Sequence, residues 1–309
     1  MSEILIAVLL AVALDHLIPD RHGAKPFLWY RDWAESVEER FNGGQRVHGV
    51  GAVMLATIPI IVGVFLVHYV LGQVAGIFRF AFDVMVLYLC VDVHRLGRSA
   101  NAVSNALEAG DVNEADKALQ ELAGKGAAEK NEVSIARAAV EGVLKQGNSL
   151  IVSPIFWFIL FGPVGAVLQR LSSILDALWG HRYERFAEFG WAAARFDDLM
   201  GWVPARITAL SYALMGSFED ALHCWRRRVG VWSDINSGPL LASGLGAMHM
   251  RVCEAQDEDE FSERSSDLAV IPDADDVRRV MALVWRVLLL WLVVGILMSG
   301  AHLAGIFAG

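Results

Sequence analysis

The chain has 309 residues, 55% of them hydrophobic, and a mean hydropathy of +0.43, which excludes a purely water-soluble domain. Ten acids and one base between Glu254 and Asp276 account for the whole net charge of −9; the balanced remainder has no basic excess, so nucleic acid is excluded as a partner. Cys90, Cys224 and Cys253 are widely spaced with no C-x-x-C, which argues against a zinc or dithiol site and for a reduced, cytosol-facing protein.

A helix needs roughly 20 apolar residues to cross a bilayer core. In chain order the first run is Ile4 to Ile18, apolar up to Asp15 and His16 and lacking the basic start and small-residue cleavage site of a signal peptide. Val50 to Gly72 is free of permanent charge, and Ile77 to Val91 is broken only by Arg79 and Asp83. The residues from Asp92 to Gly147 are rich in Ala, Leu, Glu and Lys, with a stop and an N-cap at Ala109-Gly-Asp111, and predict a helical hairpin over 92–149.

Leu150 to Leu171 is apolar but carries Pro154 and the pair Gly162-Pro163, which predicts a helix that enters the membrane and turns back. Asp197 to Met215 repeats apolar residues at helical spacing around Trp202 and Pro204, and its polar positions predict an interfacial helix. Gly238 to Ala247 reads as a Gly-rich loop feeding close helix packing, and the acidic stretch after it as a solvated linker. The last span, Val280 to Phe307, has only Arg286 as a permanent charge, near its start where the side chain can snorkel.

These elements predict an all-α, polytopic integral membrane protein with about four spans, a re-entrant or broken helix and helical cytoplasmic segments. The divisions are 1–225 for the membrane domain with its hairpin, 226–279 for the Gly-rich loop and acidic linker, and 280–309 for the terminal span. With the fifth segment turning back, the loops that hold nearly all the Lys and Arg share one face, and the positive-inside tendency makes that face cytoplasmic.

Ionisable groups inside spans are costly, so Asp15, His16, His68 and Asp83 are candidates for an ion path, against a plain reading in which Asp83 pairs with Arg79 one turn away. The densest polar cluster is Asp176, His181, Arg182, Glu184, Arg185, Arg195, Asp197 and Asp198, interleaved with Trp179, Tyr183, Phe186, Phe189 and Trp191. Asp176, Asp197 and Asp198 are of the kind that holds Mg²⁺, and Arg182, Arg185, Arg195 and Arg206 of the kind that grips phosphate. The competing reading is an interfacial belt of aromatics and arginines meeting lipid headgroups.

The segment Gly190-Trp-Ala-Ala-Ala-Arg195-Phe-Asp197-Asp198-Leu-Met-Gly-Trp202-Val-Pro204-Ala-Arg206 resembles the hallmark of the CobD/CbiB family, membrane-bound adenosylcobinamide-phosphate synthases, whose superfamily includes the AmpE branch. Asp15-His-Leu-Ile-Pro-Asp20, Ala106-Leu-Glu-Ala-Gly-Asp111, Ile135-Ala-Arg-Ala-Ala-Val-Glu141 and Ser153-Pro-Ile-Phe-Trp157 match the family in order. The chain departs from the synthases at Lys125-Gly126-Ala127, where they have Arg-Asp-Thr, and at Lys145-Gln146 and Ser149-Leu150, where they have Glu-Asn and Asp-Gly. The stretch Ala209-Leu-Ser-Tyr212 to His223-Cys-Trp225 is similar to AmpE.

With acids missing where a metal and a phosphate-bearing substrate would be organised, the resemblance implies first a non-catalytic, AmpE-like signalling protein of the bacterial inner membrane. Its context would be β-lactamase regulation and peptidoglycan recycling, with the amidase AmpD as a partner beside the lipid bilayer. The alternative it implies is a synthase joining cobyric acid to aminopropanol phosphate with Mg²⁺ and ATP. An ion-coupled transporter using Asp15 and Asp83 is the third reading, and the apolar membrane surface is compatible with a homo-oligomer.

Overall fold

A computed structural model of the chain describes residues 2–18, 27–180, 186–228, 230, 232, 234–250 and 271–303, and every described element is helical. The Cα trace divides into two compact units. One comprises 1–93, 149–201 and 294–309, the other 94–148 and 202–293, so the chain passes between them four times. Arg182, Arg185, most of the acidic linker, and the last residues of the terminal span lie outside the described residues.

The first unit is built on α1 (Ser2–Leu17), α2 (Leu28–Phe41), α3 (Arg46–Val74) and α4 (Gly76–Cys90). Only Ala75, in extended backbone, separates α3 from α4, so these two helices form a tight pair. At 1.5 Å per residue, α3 reaches about 43 Å and clears the bilayer core. By the same measure α1 and α4 reach about 24 and 22 Å, less than the roughly 30 Å of a bilayer core. Among the described residues, the stretches long and apolar enough to span are Arg46–Val74, Glu132–Trp179 and Ala274–Ala301. Phe65, Leu66, Tyr69 and Val70 of α3 and Ile77 and Phe78 of α4 are each more than half exposed. So much bare apolar surface on adjoining helices identifies a lipid-facing wall, and the protein is a multi-pass membrane protein.

The predicted turn-back is present. In α8 (Ser153–Trp179) the backbone leaves the helical region at Gly162, with φ 62° and ψ −150°. A Cβ on Gly165 would lie 2.3 Å from the Trp157 carbonyl oxygen. In an unbroken helix positions eight apart are separated by about 12 Å, so the chain has reversed, with Leu160 and Phe161 exposed at the tip. Glycine tolerates that backbone conformation at no steric cost, and Pro163 then restarts the helix with a ring already fixed at helical φ.

The second unit holds α5 (Val93–Glu108, whose first residue belongs to the first unit), α6 (Val112–Ala123) and α7 (Glu132–Gly147). The expected hairpin is thus three helices, and Asp111 caps α6 by accepting from the Glu114 N–H at 2.9 Å. The unit also takes the later part of α9 (Trp191–Met215), then α10 (Phe218–Arg228), α11 (Ser237–Ala247) and the first part of α12 (Ala274–Leu303).

Two expectations change here. Helix α9 buries Ala205, Thr208, Ala209, Tyr212 and Ala213 at helical spacing, so it is a packed helix with one exposed face rather than an element lying flat at the interface. The Gly-rich stretch is helix α11, wholly buried. Its small residues let neighbours approach: a Cβ on Gly244 would meet the Leu144 side chain at 2.6 Å. In α12, Val277, Val280, Leu283, Val284, Val287 and Leu288 are buried in the unit, whereas Ile296 and Leu297, past the division, are exposed.

Candidate functional site

Between α7 and α8 the chain makes a π-helical turn, Asn148–Val152, a widening that recurs at functional sites. Its cause is legible. Pro154 has no N–H, so carbonyls one turn before it lose their helical donor. The Leu150 carbonyl is instead taken by the Asp92 N–H at 3.2 Å, and the Ser149 carbonyl by the Gln169 side-chain amide at 3.4 Å.

Around this turn the first unit assembles a polar seam. The Ser149 and Ser173 hydroxyls lie 3.1 Å apart. The Ser172 hydroxyl, fully buried, reaches Asp197 Oδ1 at 3.0 Å and the Gln169 carbonyl at 2.8 Å. The Trp157 indole donates to the Met200 carbonyl at 2.9 Å, tying the hairpin to α9. Ser153 Oγ and Gln169 Oε1 are buried with no hydrogen-bond partner among the described residues, an arrangement that native proteins resolve with water or a ligand. Arg195 Nη1 holds Asp198 Oδ2 at 3.1 Å, and Asp198 keeps about a third of its side chain exposed (34%). Asp176 follows Ser172 by one turn and is half-buried.

Of the predicted acids, then, Asp197 is brought into a buried hydroxyl network and Asp198 into an ion pair at its edge. Among the described residues no three Asp, Glu, His or Cys side chains close into a metal-holding group. Mg²⁺ carried on a nucleotide needs only one or two carboxylates plus phosphate oxygens, and adjacent, half-exposed Asp197 and Asp198 fit that smaller requirement.

Arg206 belongs to the second unit. Its guanidinium stacks 4.3 Å over the Trp202 ring and donates to the Trp202 carbonyl at 2.7 Å and to Asn236 Oδ1 at 3.4 Å, which leaves further donors of the fork for an anion. In the same unit buried Thr208 donates to Asn148 Oδ1 at 2.8 Å, and Tyr212 to the Leu144 carbonyl at 2.8 Å. In the same unit Lys145 feels the charges of Glu141, Lys125 and Asp234.

The polar groups expected in the membrane are arranged differently from the plain reading. His68 Nδ1 and Asp83 Oδ1 pair at 2.7 Å between α3 and α4, and Arg79 pairs with Glu3 at 3.6 Å. Asp83 therefore has a partner on the facing helix, with Arg79 one turn away bonded to α1. Asp15 is buried and His16 exposed.

The CobD/Cbib protein family matches residues 8–298, nearly the whole chain. The chain belongs to the CobD/CbiB family. Its relatives include the cobalamin biosynthesis protein CobD of Stutzerimonas stutzeri, 36% identical over 303 residues and covering 94% of this chain and 97% of that one. The protein of the same name from Chromobacterium violaceum is 37% identical over 225 residues, 71% and 72% of the two chains. That of Dehalococcoides mccartyi is 29% identical over 261 residues, 80% and 83%. These relatives bear the CobD name and none the AmpE name, which favours cobalamin biosynthesis over the regulatory reading. No solved structure matches the chain.

Sequence reasoning missed Gln169 and Ser172, and marked Ser149 only as a departure from the synthase pattern rather than as a member of this polar seam. The signal was there: a proline inside an apolar helix frees carbonyls that something polar must meet.

Proposed function

We propose that the chain is a CobD-type membrane enzyme of cobalamin biosynthesis, joining a corrinoid carboxylate to the amine of aminopropanol phosphate at the expense of ATP. The observation that carries this is a family match over nearly the whole chain, with a CobD relative that aligns over 94% of it. The polar helices and loops then face the cytoplasm from the bacterial inner membrane, where nucleotide is supplied.

Asp197 and Asp198 are the residues that would meet Mg²⁺ on the nucleotide, and the metal supplies neutralisation of charge on the transferred phosphoryl group. The chain's own contribution is positioning. Ser172 fixes the Asp197 carboxylate at 3.0 Å, and Arg195 steers Asp198 from one turn before it. In its own unit, Arg206 is held flat on Trp202 and would grip phosphate by its free fork. Lys145 stands where the synthases carry a glutamate, so this enzyme would meet its phosphorylated substrate with a cation at that position.

Complementation tests the proposal. A bacterium lacking its own CobD, given cobyric acid and a medium in which growth depends on cobalamin, should grow when it carries this chain. It should not grow with Asp197→Asn, and cobinamide should restore growth to both. Membrane-inserted wild-type protein that leaves growth dependent on cobinamide would sink the proposal and return the AmpE-like regulatory reading, which rests on Lys145-Gln146 and Lys125-Gly126-Ala127.

A further inference from the structure

Within the second unit, away from the polar seam, a pocket of about 380 Å³ opens between the end of α9, the start of α10, the end of α11 and one face of α12. Its basic lining is Arg279, Arg286 and His249, and among the described residues no carboxylate lines it. Asp276, buried, stands behind Arg279 at 2.6 Å, and Asp220 stands beside His249 at 3.4 Å. Arg286 Nη1 donates to the Met215 carbonyl at 3.0 Å, which anchors the guanidinium at the end of α9 and leaves other donors turned to the pocket.

His249 is placed there deliberately by the backbone. It is the non-glycine residue at φ 55° that ends α11, with the Met250 N–H on the Leu245 carbonyl and the His249 N–H on the Gly246 carbonyl. That is the left-handed helix end usually given to glycine. Its imidazole comes with a backbone cost that glycine would avoid.

The surroundings say what such a pocket meets. Arg286 is the last permanent charge of α12 before an unbroken apolar run, and Trp285 and Trp291 flank it, the arrangement of a helix crossing the headgroup level. Beyond the pocket, Leu210 and Leu214 on α9 and Leu289 and Val293 on α12 are exposed. An apolar strip therefore begins where the cationic lining ends.

We propose that this pocket is a headgroup site for an anionic phospholipid of the surrounding leaflet. Arg286 and Arg279 hold the phosphate by forked, charge-assisted bonds, and His249 adds a third donor when protonated. The acyl chains lie along the strip formed by Leu210, Leu214, Leu289 and Val293. The inference uses the membrane setting of the chain and is independent of the proposed ligase activity.

Native mass spectrometry of the full-length protein in detergent tests it, with phosphatidylglycerol, glycerol phosphate and inorganic phosphate titrated separately. The wild type should retain phosphatidylglycerol in a one-to-one complex, with both water-soluble phosphates failing to displace it. The double variant Arg279→Gln/Arg286→Gln should bind about tenfold or more weakly, the loss expected for two charge-assisted contacts. His249→Gly, which suits the helix end better and so folds, should also bind more weakly. Unchanged lipid retention in the double variant overturns the proposal, and so does displacement by glycerol phosphate or inorganic phosphate at the lipid's own concentration, which would make this a site for a soluble phosphate. Ligase turnover, read on the same samples, keeps failure of this site distinct from failure of the catalytic reading.

Discussion

Thr208 and Asn148 offer a quantitative check on how the π-helical turn is held. Thr208 is fully buried, Asn148 is 6% exposed, and the hydroxyl donates to the amide oxygen at 2.8 Å. Valine has nearly the shape of threonine and a similar helix propensity, so Thr208→Val removes the donor and little else. The Asn148 oxygen is then left buried without it, at a cost of about 1–3 kcal/mol. Thr208→Ser keeps the donor and loses one methyl, about 0.8 kcal/mol. Unfolding of detergent-solubilised protein, followed by tryptophan fluorescence, should rank the wild type above Thr208→Ser and that above Thr208→Val. In an Asn148→Ala background, Thr208→Val should cost little more, because the partner has already gone. If valine is as stable as serine, or the two changes add in full, the hydrogen bond does not hold the turn and the reasoning fails.

Two further outcomes follow from the geometry. Gly162→Ala should lower stability by about 1–3 kcal/mol, from backbone conformation alone, since an added Cβ there meets no atom within 4 Å; a neutral result in the same unfolding assay would move the chain reversal elsewhere. Asp116 accepts the Ala127 N–H at 3.0 Å and the Gln120 amide at 3.1 Å, and the backbone donor above all holds its carboxyl below the ordinary aspartate value. Its contribution is therefore present above that ordinary value and is lost as pH falls through the lower folded one. Amide hydrogen-exchange protection factors across 112–147 should fall on acidification below about pH 4 in the wild type, and in Asp116→Ala they should be low at every pH.

Much of the membrane architecture could be read from residues that act locally. A Gly-Pro pair such as Gly162-Pro163 favours a stop and a restart from its own backbone preferences, so the reversal in α8 was visible in the sequence, and so was the cap at Asp111. Helix α11 was not. Its glycines argue against helix in isolation, and only burial on every side, with Leu144 and Asp220 pressed against Gly244 and Gly246, outweighs that preference. The short reach of α1 and α4 was legible too, since the runs Ile4 to Ile18 and Ile77 to Val91 fall below the roughly 20 residues that a crossing needs.

The site divides in the same way. Asp197, Asp198 and Arg206 stand in a recognisable segment, while Ser172 reaches Asp197, and Gln169 reaches Ser149, across 20 or more residues within the first unit. Those contacts have no periodic signature. The His68–Asp83 pair was missed for a similar reason: an arginine one turn away is the obvious partner in sequence, and the facing helix supplies a closer one.

The most direct measurement is mass-spectrometric detection of ATP- and Mg²⁺-dependent coupling of adenosylcobyric acid to aminopropanol phosphate by the purified, folded protein. The account predicts product from the wild type, and its loss in Asp197→Asn with the fold retained. No product from folded wild-type protein, beside an active synthase under the same conditions, would contradict it.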